Sequence, residues 1–221
     1  MGNSNSAALE SPLQEPQGSM KALDGSSIAE QPTTLRVKAS SLRTRATVTD
    51  LETNSTIGLF KGKMFSSRVV LETPQGQIIA SISNKTFSSK YRVFQGDETD
   101  DPSFMIQDAS GFFKTMVLVA EFTDTETGTP CRVVVRGSPS TKVVLCHLER
   151  GGPTLSQLQK GNDFLENQGR YQRVGRIRRK SYFGGDDYFI EATAGVDLTV
   201  LLLIWHVRHV RLVAERANAS S

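Results

Sequence analysis

The stretch Gly195-Val196-Asp197-Leu198-Thr199-Val200-Leu201-Leu202-Leu203-Ile204-Trp205-His206-Val207 is the most apolar part of the chain. In a helix its apolar side chains point in all directions, and a helix that is apolar on every face is buried on every face. Its β-branched residues leave a buried strand as the alternative, although the run is long for a strand and does not alternate. The stretch therefore favours a helix at the centre of a hydrophobic core.

The length and ends of this run indicate a core helix rather than a membrane span. As a helix, residues 198–207 rise only about 15 Å, half of a bilayer's hydrocarbon core. Asp197 is expected to accept hydrogen bonds from free N–H groups at the helix start. Leu198, Leu201, Leu202 and Trp205 are expected to form the buried body. After Val207 the charged residues predict that the helix leaves its apolar surroundings.

Length and composition bound the class of protein. A chain of 221 residues with 38% hydrophobic residues predicts one domain with a real core. The formal net charge of +3 is too weak to indicate a nucleic-acid partner. Two cysteines make no disulfide framework, and the chain starts without an apolar signal segment. These features predict a cytoplasmic protein without a cofactor, and we expect a monomer.

Ten or eleven short strand-like runs precede the helix, at a spacing of about 8–12 residues, which is typical of a sandwich or barrel. A helix that is apolar all round needs walls on every side, and closing the sheet around it provides them and removes the sheet edges. Residues 43–214 are therefore predicted to form a closed antiparallel β-barrel, mainly β in class, around a central C-terminal helix. Residues 215–221 are expected to be a flexible C-terminus.

Residues 1–42 are rich in Ser, Gln and Pro without periodicity, which predicts a disordered tail. Its start, Met1-Gly2-Asn3-Ser4-Asn5-Ser6, fits the N-myristoylation pattern at Gly2. The alternative is an incidental Gly after Met. One myristoyl chain binds a membrane only marginally, so a second signal is needed for stable attachment.

Two basic stretches could provide that second signal. The first has the candidate phosphoinositide-binding residues Arg173, Arg176, Arg178, Arg179 and Lys180. The second lies just before the predicted domain and has Arg36, Lys38, Arg43 and Arg45. Such segments bind anionic lipid near an anchor. The alternative is a solvated strand face.

Two groups of residues suit catalysis or metal binding, and both have a structural alternative. Cys131 would face Cys146 or His147 across a hairpin, depending on one residue of register. A Cys–His nucleophile needs a third group, so buried structural cysteines are favoured. His206 and His209 could share a ligand, but no acidic or Cys ligand accompanies them. The sequence predicts no metal site and no catalytic residues.

Three motifs carry a resemblance to a known family. The run Asp187-Tyr188-Phe189-Ile190-Glu191-Ala192-Thr193-Ala194-Gly195-Val196-Asp197-Leu198 resembles the end of the LURP-one-related family. So do Phe87-Ser88-Ser89-Lys90-Tyr91-Arg92-Val93-Phe94 and Val134-Val135-Arg136-Gly137-Ser138. That family resembles the tubby C-terminal domain and the phospholipid scramblases. The resemblance implies about twelve strands around a hydrophobic helix.

The resemblance also bears on function. Tubby domains bind phosphoinositides through basic surface residues, and scramblases are lipid-anchored, although this chain lacks their cysteine-rich palmitoylation cluster. We therefore expect a non-enzymatic peripheral membrane module, tethered by Gly2 and a basic surface and partnered by anionic lipid at the plasma membrane. The alternative is a soluble protein-interaction adaptor without lipid binding.

Overall fold

The computed structural model describes residues 8–40, 45–62, 67–84, 88–110, 116–137, 140–151, 171–182 and 185–219. Twelve strands within these residues form one closed antiparallel barrel, in which each strand pairs with its neighbours in the chain and β12 closes onto β1. The strands are β1 (Thr33–Ala39), β2 (Arg45–Asp50), β3 (Thr56–Gly62), β4 (Arg68–Glu72), β5 (Ile78–Asn84), β6 (Lys90–Gln95), β7 (Phe104–Asp108), β8 (Met116–Thr123), β9 (Pro130–Gly137), β10 (Val143–Arg150), β11 (Gln172–Tyr182) and β12 (Gly185–Ala192).

Strand alternation builds the barrel wall. In β12, Tyr188 and Ile190 are fully buried inside, whereas Phe189 and Glu191 lie between them on the outer face. Neighbouring strands follow the same period, so their apolar side chains fill the space between the wall and a central helix. The predicted fold class, a mainly β barrel with a C-terminal helix, is confirmed.

The central helix α1 runs from Leu198 to Ala219. Every residue from Leu198 to His209 is buried, which agrees with the apolar run in the sequence. Asp197 accepts hydrogen bonds from the N–H groups of Thr199 at 2.8 Å and Val200 at 3.4 Å, as expected of a residue at a helix start. No helix of the described residues is both long and apolar enough to cross a membrane.

The helix gives the barrel two distinct ends. It starts at the end where β12 finishes, which we call the entry end. It leaves at the opposite end, the exit end, where the β1–β2, β9–β10 and β11–β12 connections lie. Residues 14–29, here called the strap, lie across the entry end: Met20 N donates to Gly195 O at 2.8 Å and Ala29 N donates to Val196 O at 2.9 Å.

The strap and β1 correct the predicted boundaries of the tail. Residues 33–39 are a barrel strand, and Met20 and Leu23 are buried. The segment is polar in composition, but its few apolar residues pack on the core while its backbone bonds to the barrel end, which reduces the need for a hydrophobic pattern. Residues 1–7, including Gly2, lie outside the described residues.

The C-terminal boundary also differs from the prediction. The helix continues through residues 215–219, which were assigned to a flexible end, and Arg216 Nη1 pairs with Asp186 Oδ2 at 2.7 Å. Arg208 and His209 are buried as well, although the charged residues after Val207 predicted an exit to solvent. The barrel wall therefore encloses more of the helix than the apolar run suggests.

Candidate functional site

The barrel register brings the two basic stretches onto one outer face. Strand β12 lies between β1 and β11, so that Arg36 pairs with Phe189 and Phe189 pairs with Arg178. One step toward the exit end, Lys38 pairs with Asp187 and Asp187 pairs with Lys180. We call this surface the outer basic face; it contains Arg36, Lys38, Arg176, Arg178, Lys180, Asp187, Phe189 and Glu191. Residues more than 130 positions apart in sequence therefore share one surface.

The outer basic face has an excess of positive charge. Its five cationic side chains outnumber its two carboxylates, which leaves three positive charges. Arg36 Nη2 lies 2.5 Å from Asp187 Oδ2, and Arg178 Nε lies 2.7 Å from Glu191 Oε1. Arg178 also lies over the Phe189 ring, 5.4 Å from its centroid. These contacts orient the side chains while Lys38 and Lys180 stay exposed toward the exit end.

Arg176 and Arg173 differ from the other candidates because the N-terminal segment covers them. Arg176 donates to Ser11 O at 2.5 Å, to Ala8 O at 3.0 Å and to Glu191 Oε2 at 2.5 Å, and only 11% of its side chain is exposed. The backbone of Arg173 bonds with Gln14. Arg176 therefore fastens the N-terminal segment to β11.

Arg179 lies apart from the outer basic face. It has the inward parity of Ile177 and pairs with Tyr188, whose side chain is fully buried in the core. Of the second basic stretch, Arg45 is exposed at the start of β2, whereas Arg43, like Gly2, lies outside the described residues. The structure thus brings Arg36, Lys38, Arg178 and Lys180 together on one outer face, with Arg176 covered by residues 8–11.

The strand register does not place Cys131 opposite Cys146 or His147. Cys131 pairs with Arg150 and Cys146 pairs with Val135, so both predicted registers are wrong. The reason is that β9 extends to Gly137 and β10 starts at Val143, which moves the centre of the hairpin beyond Pro139. Cys146 is fully buried inside the barrel, burial raises its pKa to about 12, and the adjacent His147 has the opposite strand parity.

His206 and His209 face different parts of the barrel wall. His206 stacks on Phe60 with ring centroids 5.3 Å apart, whereas His209 Nδ1 lies 3.0 Å from the Tyr188 hydroxyl. Burial lowers the pKa of His206 to about 3, which keeps its ring neutral. Among the described residues, no cluster of three His, Cys, Asp or Glu side chains could hold a metal ion.

Sequence reasoning missed Arg208, which is fully buried although charged. A signal for it exists: Leu201, Trp205, Arg208 and Leu212 recur at the spacing of one helix face, and the other three are core residues. Arg208 Nη2 donates to Thr141 O in the β9–β10 connection. The charge of this residue thus lies inside the barrel, near its exit end.

Comparisons with known proteins agree with this architecture. The model of the LURP-one-related family matches residues 33–206. An X-ray structure of a protein from Arabidopsis thaliana is similar, with a TM-score of 0.54 and 16% identity, over 82% of this chain and 91% of that one. At this identity the likeness concerns the fold. A search of curated proteins found no match.

Proposed function

The chain belongs to the LURP-one-related family, and from that premise we propose that it is a non-enzymatic peripheral membrane module that binds anionic, phosphoinositide-containing membranes. The observation that carries the proposal is the outer basic face, where Arg36, Lys38, Arg178 and Lys180 meet across β12. A cluster of cations on one side of a barrel suits a flat anionic surface better than cations scattered around it.

The course of the N-terminal segment supports the same orientation. Ala8 lies at Arg176, next to the outer basic face, because its carbonyl accepts a hydrogen bond from Arg176 Nε at 3.0 Å. Gly2 precedes Ala8 by six residues, a length of chain that spans at most about 20 Å. A myristoyl group on Gly2 would therefore reach the membrane on the side that carries the cations.

The energetics call for two signals acting together. A single myristoyl chain gives an association constant of about 10⁴ M⁻¹, which is reversible binding. Each Lys or Arg near an anionic surface adds about 1 kcal/mol, and salt screens this contribution. Together they would hold the protein at the cytoplasmic side of the plasma membrane as a monomer.

The positions of two residue pairs support the non-enzymatic part of the proposal. Cys146 and His147 have opposite strand parity. Asp186 and Asp187, which are also adjacent, pair with Arg216 and Arg36 respectively. Within each of these two pairs, one side chain faces the barrel interior and the other faces outward, which disfavours a joint catalytic role.

Vesicle co-sedimentation tests the proposal. We would compare myristoylated protein with Gly2→Ala and with the double variant Lys38→Ala/Lys180→Ala, on vesicles with and without phosphoinositide. Removing two cations should weaken binding about 30-fold, from about 1 kcal/mol each. The matched control is Lys90→Ala/Arg92→Ala, which removes the same charge from exposed positions on β6, six strands away from β12 around the barrel.

The controls define the outcomes. Binding that weakens with salt, with Gly2→Ala and with the β12-side double variant, but not with the β6 variant, supports a two-signal membrane module. Equal losses of vesicle binding in both double variants would show that binding depends on net charge and not on the outer basic face. No binding under any condition would reject the proposal and favour the adaptor that binds protein partners.

A further inference from the structure

A second cationic site lies inside the barrel at the exit end, separate from the outer basic face. It combines Arg208 of α1, which is fully buried, with Arg179 of β11, which has inward strand parity. Arg208 Nη2 donates to Thr141 O, and Arg179 Nη2 donates to Ser140 O at 3.1 Å. Two guanidinium groups are thus fixed against consecutive carbonyl groups of the β9–β10 connection.

Most of the donors in this pair are unused. The Nε and Nη1 atoms of both Arg179 and Arg208 are shielded from solvent and have no hydrogen-bond partner. A buried donor of a charged group that lacks a partner is costly, and two like charges that interact in the same interior add repulsion. The charges of Arg179 and Arg208 interact, so these four nitrogen atoms together offer donors to an acceptor with several oxygen atoms.

The described surroundings supply little compensating negative charge. The carboxylate of Asp186 is already engaged by Arg216, with Nη1 at 2.7 Å from Oδ2 and Nη2 at 3.2 Å from Oδ1. Burial raises the pKa of Tyr188 and of Cys146 to about 12, so both are neutral at pH 7. Burial lowers the pKa of Arg208 to about 10, so its guanidinium remains charged.

We propose that Arg179 and Arg208 form a binding site for a phosphate-type oxyanion inside the exit end of the barrel. A tetrahedral oxyanion offers several acceptor oxygens to one cluster of donors, and arginine is the side chain best suited to phosphate. Arg179 is the half-buried member of the pair and lies beside the exposed Ser140. The phosphate group could be free phosphate or a phosphomonoester on a lipid headgroup.

Titration calorimetry on the full chain tests the site with three probes at matched ionic strength: inorganic phosphate, soluble inositol trisphosphate, and phosphoinositide vesicles. Arg179→Gln should weaken the tightest of these interactions at least about tenfold, since a charged hydrogen-bond donor is lost. Arg92→Gln is the matched control, because it removes the same charge from an exposed position on β6, outside both the interior pair and the outer basic face. Arg208→Met should have the same effect as Arg179→Gln; should it fail to fold, the contrast between Arg179→Gln and Arg92→Gln decides.

The probes also separate the two sources of phosphate. Saturation by inorganic phosphate alone assigns the site to free phosphate, whereas saturation only by inositol trisphosphate or vesicles assigns it to a headgroup. Equal weakening by Arg92→Gln, or no saturable binding of any probe, would overturn the site. Vesicle binding that depends on Lys38 and Lys180 but not on Arg179 would exclude a lipid headgroup as the ligand of this site and leave the outer basic face as the membrane surface.

Discussion

The two ends of the barrel differ in how their buried charged side chains are hydrogen-bonded. At the entry end, Asp197 is fully buried and accepts N–H groups from Thr199, Val200 and, at 2.9 Å, from Ala22 of the strap. At the exit end, Arg208 is equally buried, yet two of its three guanidinium nitrogens have no partner. A buried charge whose hydrogen-bonding atoms have partners stabilises the fold. A buried charge with unpaired donors instead suggests a ligand from outside the chain.

A second pair at the entry end reinforces the contrast. Asp124 is fully buried, accepts the N–H groups of Glu126 and Thr127, and lies 3.3 Å from Arg150 Nη1. Arg150 in turn donates to Ser19 O of the strap at 2.5 Å. Each buried carboxylate at the entry end therefore has several described donors. At the exit end, the charge of Arg208 interacts with Asp186, whose carboxylate is already engaged by Arg216.

Deleting residues 1–30 should cause the largest effect, because it removes the strap but leaves β1. Met20 and Leu23, both buried, contribute about 1.5–3 kcal/mol each, partly offset by the chain entropy that deletion releases. We expect a loss of about 4 kcal/mol in unfolding free energy by denaturant titration. Deletion of residues 1–13 is the control and should cost little. A 1–30 deletion as stable as the full chain would show that the strap does not seal the barrel.

The strap shows which parts of this fold could be predicted from sequence. The central helix was predictable because an apolar run without a polar face requires walls on all sides, and Asp197 because helix starts need acceptors. The strap was not, because its binding depends on backbone groups that any residue carries, such as Met20 N to Gly195 O. A segment that bonds mainly through its backbone leaves little trace in composition.

Asp197→Ala should have the next largest effect. It removes the helix cap and leaves the buried N–H of Ala22 without its acceptor, which together correspond to about 3 kcal/mol. Thermal unfolding and hydrogen exchange at Ala22 and Thr199 would measure it. Asp197→Asn retains one acceptor oxygen and should fall between the variant and the wild type. Similar stability of Asp197→Ala and wild type would remove the distinction between the ends.

Acidification should destabilise the protein through His206, which is buried in the first half of α1. Its folded-state pKa of about 3 is below the ordinary value of 6.5, so the unfolded chain binds a proton that the folded chain excludes. Stability is therefore present above pH 6.5 and is lost as the pH falls toward 3. Between pH 7 and pH 5 the loss should be about 2 kcal/mol.

Denaturant titrations at both pH values would measure this loss, and His206→Leu should reduce it. Because His206 packs against the Phe60 ring, a leucine at this position would have an apolar neighbour, and the variant should still fold. If the unfolding free energy falls equally with pH in the wild type and the variant, groups other than His206 cause the acid sensitivity.

The candidate site was predictable only in part. Alternation along a strand placed Arg176, Arg178 and Lys180 on one face, and this was correct. That Arg36 and Lys38 join them depends on β1 closing the barrel beside β12, which no local pattern encodes. The interior location of Arg179 follows from the same alternation that places its neighbours outside.

The smallest effect is expected from Arg208→Met, measured in phosphate-free buffer. Replacing a buried charge that lacks partners by an apolar side chain of similar length is neutral or stabilising, so the unfolding free energy should stay the same or rise. The same substitution at the entry end, Arg150→Met, removes the cation that faces the buried Asp124 and should cost about 2 kcal/mol. The sign of the difference between the two variants tests whether the ends differ as described. If both variants lose the same unfolding free energy, Arg208 stabilises the fold as Arg150 does. The two ends of the barrel would then not differ in this respect.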